Sequence, residues 1–205
     1  MTGQLLLASG NAHKLAELRR LTAGLDLAIL GLADVTPYPE PAETGATFEA
    51  NALIKAAAGA AATGLPTLAD DSGIEVDVLN GMPGVRSARW AGVGATDAEN
   101  LDLLIRQLAD VEDERRGCRF VCAVALVWPA QPGVQRDPVV LRRAVEGTAL
   151  RRPRGSNGFG YDPIFLPVGH DRTTAEMSAA EKDAISHRGQ ALRAILPDLA
   201  ALAVG

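Results

Sequence analysis

Leu65-Pro66-Thr67-Leu68-Ala69-Asp70-Asp71-Ser72-Gly73-Ile74-Glu75-Val76-Asp77-Val78-Leu79 sets two adjacent carboxylates, a hydroxyl and a glycine between two apolar runs. Leu65–Ala69 and Ile74–Leu79 read as short strands flanking the acidic run. If a strand ends at Ala69, the acids project from the edge of a sheet. Asp-Asp-Ser-Gly is equally good turn chemistry, and both readings stand at this level. Adjacent residues of an extended chain point opposite ways, so one acid is placed to face a metal. The other then holds the loop by accepting backbone N–H bonds.

Outward from this stretch the pattern alternates strands and helices. Gln4–Ala8 reads as a buried strand. Asn11–Thr22 reads as a helix with Leu15, Leu18 and Leu21 on one side. Residues 33–46, with three prolines and several acids, read as loop. Phe48–Thr63 reads as a helix whose apolar face is Leu53, Ile54, Ala57, Ala58 and Ala61. Its alanine and glycine content implies close packing on more than one side. Residues 80–95, rich in glycine, form a loop. Thr96 and Glu99 make a capping box ahead of Leu101, Leu104, Ile105 and Leu108. Phe120–Trp128 and Val139–Val145 read as consecutive antiparallel strands. Ser178 and Glu181 make a second capping box, and Ser186 is placed to cap a last helix that Pro197 would interrupt or kink. This order predicts an α/β fold with a mixed sheet in a single domain over residues 1–205.

Composition narrows the function. The 205 residues carry a formal charge of −5, which excludes broad binding to a nucleic acid polymer, although a local basic pocket remains open. No apolar stretch approaches the roughly 20 residues of a membrane span, and the N-terminus lacks a signal-peptide pattern, so a cytoplasmic protein is expected. Cys118 and Cys122 share a strand face without metal-ligand spacing and read as reduced, buried thiols. The chain uses 17 arginines and only three lysines, Lys14, Lys55 and Lys182, each in a short polar run. Acids for a metal together with scarce, placed ammonium groups point to a phosphate-bearing substrate.

Several segments offer chemistry, each beside a plainer alternative. Ser9-Gly10-Asn11-Ala12-His13-Lys14 is a strand-to-helix turn whose free N–H groups suit phosphate, or simply a turn with Asn11 as helix cap. Thr47, Asn51 and Lys55 form one helix row, opposite the assigned apolar stripe, with Glu43 just ahead of it; a solvated face is the alternative. In Gly158-Phe159-Gly160-Tyr161-Asp162, two of the chain's eight aromatics lie between glycines, which suits stacking on a base unless the run is merely flexible loop. Lys182 and then His187-Arg188 put cations at a helix start, against the dipole, where they are locally unfavourable. His170 reads as loop surface, and Trp90, beside Arg86 and Arg89, as structural, with the lining of a pocket or an interface as the alternative.

The ordered set resembles the inosine triphosphate pyrophosphatase family, noncanonical purine nucleoside triphosphatases that cleanse the nucleotide pool. The matching runs are Ser9-Gly10-Asn11 with Lys14, Thr47-Phe48 with Asn51 and Lys55, Ala69 to Gly73, Gly81 to Trp90, Gly158 to Phe165 and Thr174 to Arg188. The resemblance implies an elongated mixed sheet with flanking helices and two lobes around a nucleotide cleft, usually as a homodimer. It implies Mg²⁺ held by Glu43 and Asp71, with Asp71 also the proton acceptor for the attacking water. Asn11, Lys14, Lys55 and the backbone of residues 9–14 would hold the triphosphate, with Ser72 close by. Phe159 would stack on the base, while Asp162, Lys182, His187 and Arg188 read its edge and ribose. The implied reaction converts ITP, dITP or XTP to monophosphate and pyrophosphate. A pyrophosphatase for other modified nucleotides on a related fold, or a non-hydrolysing nucleotide sensor, are the competing readings.

Overall fold

The computed structural model describes residues 3–203. Six strands form one sheet in the order β2-β1-β3-β4-β5-β6, with β1 Gly3–Leu7, β2 Leu27–Leu30, β3 Thr67–Val76, β4 Gly117–Val127, β5 Val139–Ala149 and β6 Phe165–Pro167. β1 runs parallel to β2, with Leu5 opposite Ile29, and parallel to β3, with Leu7 opposite Leu68. β5 and β6 are antiparallel, with Thr148 opposite Leu166. The helices are α1 Ala12–Leu21, α2 Phe48–Thr63, α3 Asp97–Gln107, α4 Ala179–Ile185 and α5 His187–Ala203. The α/β class with a mixed sheet is thus as expected. No helix among the described residues is long and apolar enough to cross a membrane.

The chain forms two compact units. The first comprises the chain up to Asp71, Ala123–Arg142 and the segment from Ala191; the second comprises Ser72–Cys122 and Arg143–Gln190. The first buries the continuous run Leu5-Leu6-Leu7 together with Leu18, Ala52, Ala56, Ala60 and Leu68, as a parallel strand covered on both faces requires. The second is built around Ile74, Val76, Leu104, Leu108, Phe120, Tyr161, Ile164 and Phe165. Cys118 and Cys122 are both buried, and neither forms a disulfide.

Two expectations are corrected. The acidic run is neither a turn nor a strand end, because β3 continues unbroken through Asp70-Asp71-Ser72-Gly73. Glycine makes this possible: a Cβ at Gly73 would collide with Ser87 Oγ, which instead accepts the Ile74 N–H at 3.0 Å. There is accordingly no acidic loop for the second carboxylate to hold. α2 has the expected limits, with Thr47 Oγ1 accepting the Ala50 N–H and Gly64 ending it at φ 70°, but its buried face is different. Phe48, Asn51, Ala52, Ala56, Gly59 and Ala60 face inward, while Ala57 and Ala61 are exposed. Small side chains win over larger ones here because the helix lies close on its neighbours; a Cβ on Gly59 would come within 2.8 Å of Thr67 Cγ2. The Asn51–Lys55 row therefore belongs to the packed side and not to a solvated face.

β2 and β6 were not read from the sequence. They are four and three residues long, below the length at which alternation is legible, and they exist through pairing with β1 and β5. α5 runs through Pro197 without a break.

Candidate active site

β3 sends its two acids to different partners, as alternation demands. Asp70, buried, meets the Lys14 ammonium at 2.8 Å. Asp71, also buried, accepts from Asn51 Nδ2 at 3.0 Å and lies 3.5 Å from Lys55 Nζ. Lys55 reaches Glu43 at 2.9 Å, so Glu43 and Asp71 share one ammonium. Asn51 is fully buried; its Oδ1 accepts the Gly45 N–H at 2.8 Å while its amide donates to Asp71, tying the Glu43 loop to the strand. The expected grouping of Glu43, Asn51, Lys55 and Asp71 is present, and Asp70–Lys14 extends it.

Electrostatics follows from burial and neighbours. Burial pushes the Asp71 carboxyl above its ordinary value, and Lys55 and Asn51 only partly counter this because Glu43 and Asp70 push the same way. Burial pulls the Lys55 ammonium down, but Asp71, Asp70 and Glu43 together outweigh it and hold the group above its usual range. The surrounding carboxylates thus favour a cation at this point. The all-oxygen pair Glu43 and Asp71 suits a hard divalent ion. No group of three His, Cys, Asp or Glu residues converges as a metal cage among the described residues. That donor set fits Mg²⁺, which characteristically takes one or two carboxylates and draws its other ligands from phosphates and water.

The N-terminus of α1 supplies donors of a second kind. Asn11 is the helix cap, its Oδ1 accepting from His13 N at 2.9 Å and Lys14 N at 3.4 Å. Asn11 N in turn donates to Ser9 Oγ at 3.2 Å. Cap and cradle are thus not exclusive alternatives: the Gly10 and Ala12 N–H groups lie at the positive end of a ten-residue helix, and the space beside Gly10 is open.

In the second unit a cavity of about 100 Å³ gathers Ser72, Phe159, Gly160, Tyr161, Asp162, Lys182, His187 and Arg188. Arg188 is buried at the start of α5 and donates to Ser72 Oγ at 2.8 Å. His187 stacks on Phe120 with ring centroids 4.8 Å apart. The Phe159 ring is 37% exposed, with Lys182 Nζ 5.1 Å and the Arg188 guanidinium carbon 5.6 Å from its centroid. Tyr161 does not match the expected exposed ring: it is buried in the core, and its hydroxyl donates to the Ser87 carbonyl at 2.8 Å. Of the two rings only Phe159 offers a stacking face.

Sequence reasoning missed Ser87, Asp97, Asn100 and Phe120, which also line this cavity. Asp97 Oδ2 accepts the Gly160 N–H at 2.9 Å, and Asn100 holds Ala91 N and Ala88 O at 2.8 and 3.2 Å. Only Ser87 had a signal, inside the glycine-rich run from Gly81 to Trp90. Trp90 packs on the core with its N–H on Gln107, and His170 is exposed, both as read.

The Ham1 family model matches residues 5–198, bearing out the resemblance carried by the motifs. This chain belongs to the Ham1 family. A protein of Nocardia farcinica named dITP/XTP pyrophosphatase is 59% identical over 203 residues, covering 98% of this chain and 96% of its own length. The structure of a HAM1 protein from Coxiella burnetii superposes with a TM-score of 0.87 at 44% identity, over 96% of this chain and 98% of that one. A nucleoside-triphosphatase / dITP/XTP pyrophosphatase from Mycobacterium abscessus gives 0.76 at 54% identity, over 95% and 99%. The Ham1 match contains both the acid–ammonium cluster and every residue of the cavity.

Proposed function

We propose that this chain hydrolyses noncanonical purine nucleoside triphosphates, dITP, ITP and XTP, to the monophosphate and pyrophosphate. One observation carries the reading: the buried Asp71 on β3 meets Asn51 at 3.0 Å and shares the Lys55 ammonium with Glu43, a built acid–ammonium cluster. Relatives at 59% and 56% identity bear the name dITP/XTP pyrophosphatase, which supports the substrate class.

The roles follow from the chemistry. Phe159 stacks on the base, and Arg188 and His187 donate to the 6-keto oxygen of hypoxanthine or xanthine. Adenine would set its 6-amino group donor against donor, a mismatch of about 1–3 kcal/mol when buried. The Gly10 and Ala12 N–H groups with Lys14 and Lys55 hold the phosphate oxygens. Asp71, made more basic by burial, takes the proton as water adds across the bond between the α and β phosphates, and pyrophosphate departs. Glu43 and Asp71 would hold Mg²⁺, which when bound neutralises charge on the oxygens flanking that bond. A homodimer acting in the cytoplasm completes the proposal, and light scattering tests the first part.

The decisive assay incubates the chain with ITP, XTP, dITP, GTP, ATP and dUTP plus Mg²⁺ and identifies the products. Pyrophosphate from ITP well ahead of ATP is expected. Inorganic phosphate as the sole primary product would sink the reading, and binding without turnover would make the chain a sensor.

A further inference from the structure

We infer that Asp162 does not read the nucleotide but is a buried hub, oriented by Thr174, that positions Phe159 and Lys182. The inference deepens the proposed base site and rests on that reading for its kinetic consequences. Asp162 is 2% exposed, and both its carboxylate oxygens are supplied from within the protein. Oδ2 accepts the Phe159 N–H at 2.8 Å and the Lys182 ammonium. Oδ1 accepts the Thr174 hydroxyl at 2.7 Å. A carboxylate with three donors converging on it, one of them charged, has little left to offer a ribose or a base edge.

The surroundings are built for this close approach. Gly158 has φ 77°, and a Cβ there would collide with Asp162 Oδ2 and come within 3.1 Å of Lys182 Nζ. The backbone carrying Phe159 is also stitched to the segment carrying Thr174. Asn157 N donates to Ala175 O at 3.0 Å, and Asn157 Nδ2 donates to Met177 O at 3.0 Å. Thr174 is itself buried, so its hydroxyl has no solvent to turn to. The stacking ring is therefore held through its own peptide N–H by a carboxylate whose rotamer Thr174 fixes. Lys182, 5.1 Å from that ring, is fixed by the same oxygen. Positioning of this kind sets affinity for the base without entering the bond-breaking step.

Thr174→Val keeps the shape and removes the donor, while Thr174→Ser keeps the donor. With Thr174→Val, KM for ITP should rise about tenfold while kcat stays within about twofold, and Thr174→Ser should restore KM. A merely structural residue would lower the active fraction, reducing kcat and leaving KM alone. A readout independent of turnover is hydrogen exchange at the Phe159 amide in the ligand-free protein, which should accelerate in Thr174→Val and not in Thr174→Ser. Unchanged KM, or an equally protected Phe159 amide in Thr174→Val, overturns the inference. If the wild-type chain fails to release pyrophosphate from ITP, the proposed function falls, and the exchange measurement alone still decides the hub.

Discussion

The acid–ammonium cluster of the first unit and the cavity of the second use charge in opposite ways. In the cluster, Glu43, Asp70 and Asp71 face Lys14 and Lys55, and the states of Asp71 and Lys55 depend on these neighbours. In the cavity, Arg188 donates to Ser72 and Lys182 pairs with Asp162, and both cations stand beside the partly exposed Phe159 ring. A site that must accept a metal and a polyanion keeps a negotiable balance of charge. A site that must recognise a flat heterocycle fixes its charges and offers shape and hydrogen-bond sense.

The sharpest way to break this contrast is Asp71→Asn. The amide keeps the size and the Asn51 and Lys55 neighbourhood but cannot take a proton, so turnover of ITP should fall by about 10³-fold or more while nucleotide binding persists. Single-turnover rates and equilibrium binding, measured side by side, check it. Activity near wild type would remove Asp71 from the chemistry.

Next in size is Lys55→Met, read as stability. Glu43 and Asp71 would lose their shared ammonium and be left as neighbouring, partly buried like charges. A loss of about 3 kcal/mol is expected, at the low end for a broken buried pair because Glu43 is partly exposed. The urea midpoint measures it, and adding Asp71→Asn should recover part of the loss. A midpoint unmoved by Lys55→Met would show that the cluster is solvated and its charges independent. Phe159→Ala should act on the other region alone, raising KM for ITP about tenfold with little change in kcat or in the urea midpoint, since stacking contributes about 1–3 kcal/mol per base.

Both regions were legible to different depths. The motifs named most of the residues that meet, and the three lysines proved to be three ion-paired cations, which their scarcity foretold. Sequence could not show which face of α2 is buried, because hydrophobicity pointed to Leu53 and Ile54 while close packing selected Ala52, Ala56 and Gly59. Nor could it show which polar groups are already bonded from within the protein. Asn51, Asp162 and Tyr161 all carry polar groups in motif positions, yet each is buried with its polar atoms bonded inside the protein. Asp97 and Asn100 were hidden for another reason: at the start of a helix they look like ordinary first-turn residues, and only the fold brings Gly160 and Ala91 to them.

The smallest effect tests how apolar the interior of the second unit is. Cys118 is buried on β4, and burial, aided by Asp77 and Glu146, pushes its thiol from 9.0 up to about 12 against weaker opposition from Arg116 and Arg119. A raised thiol pKa keeps the neutral form throughout the mildly alkaline range, so Cys118 should resist iodoacetamide at pH 8 in the folded protein and react on unfolding in urea. The linkage has a definite sign. With the folded value above the unfolded one, the contribution to stability is complete below pH 9 and is lost as pH rises toward 12. Cys118→Ala should therefore flatten the fall of stability across that window while lowering stability slightly at pH 7. Rapid alkylation of Cys118 in the folded state would mean that solvent reaches this core, and the contrast between a negotiable charged cluster and a dry recognition unit would lose one side.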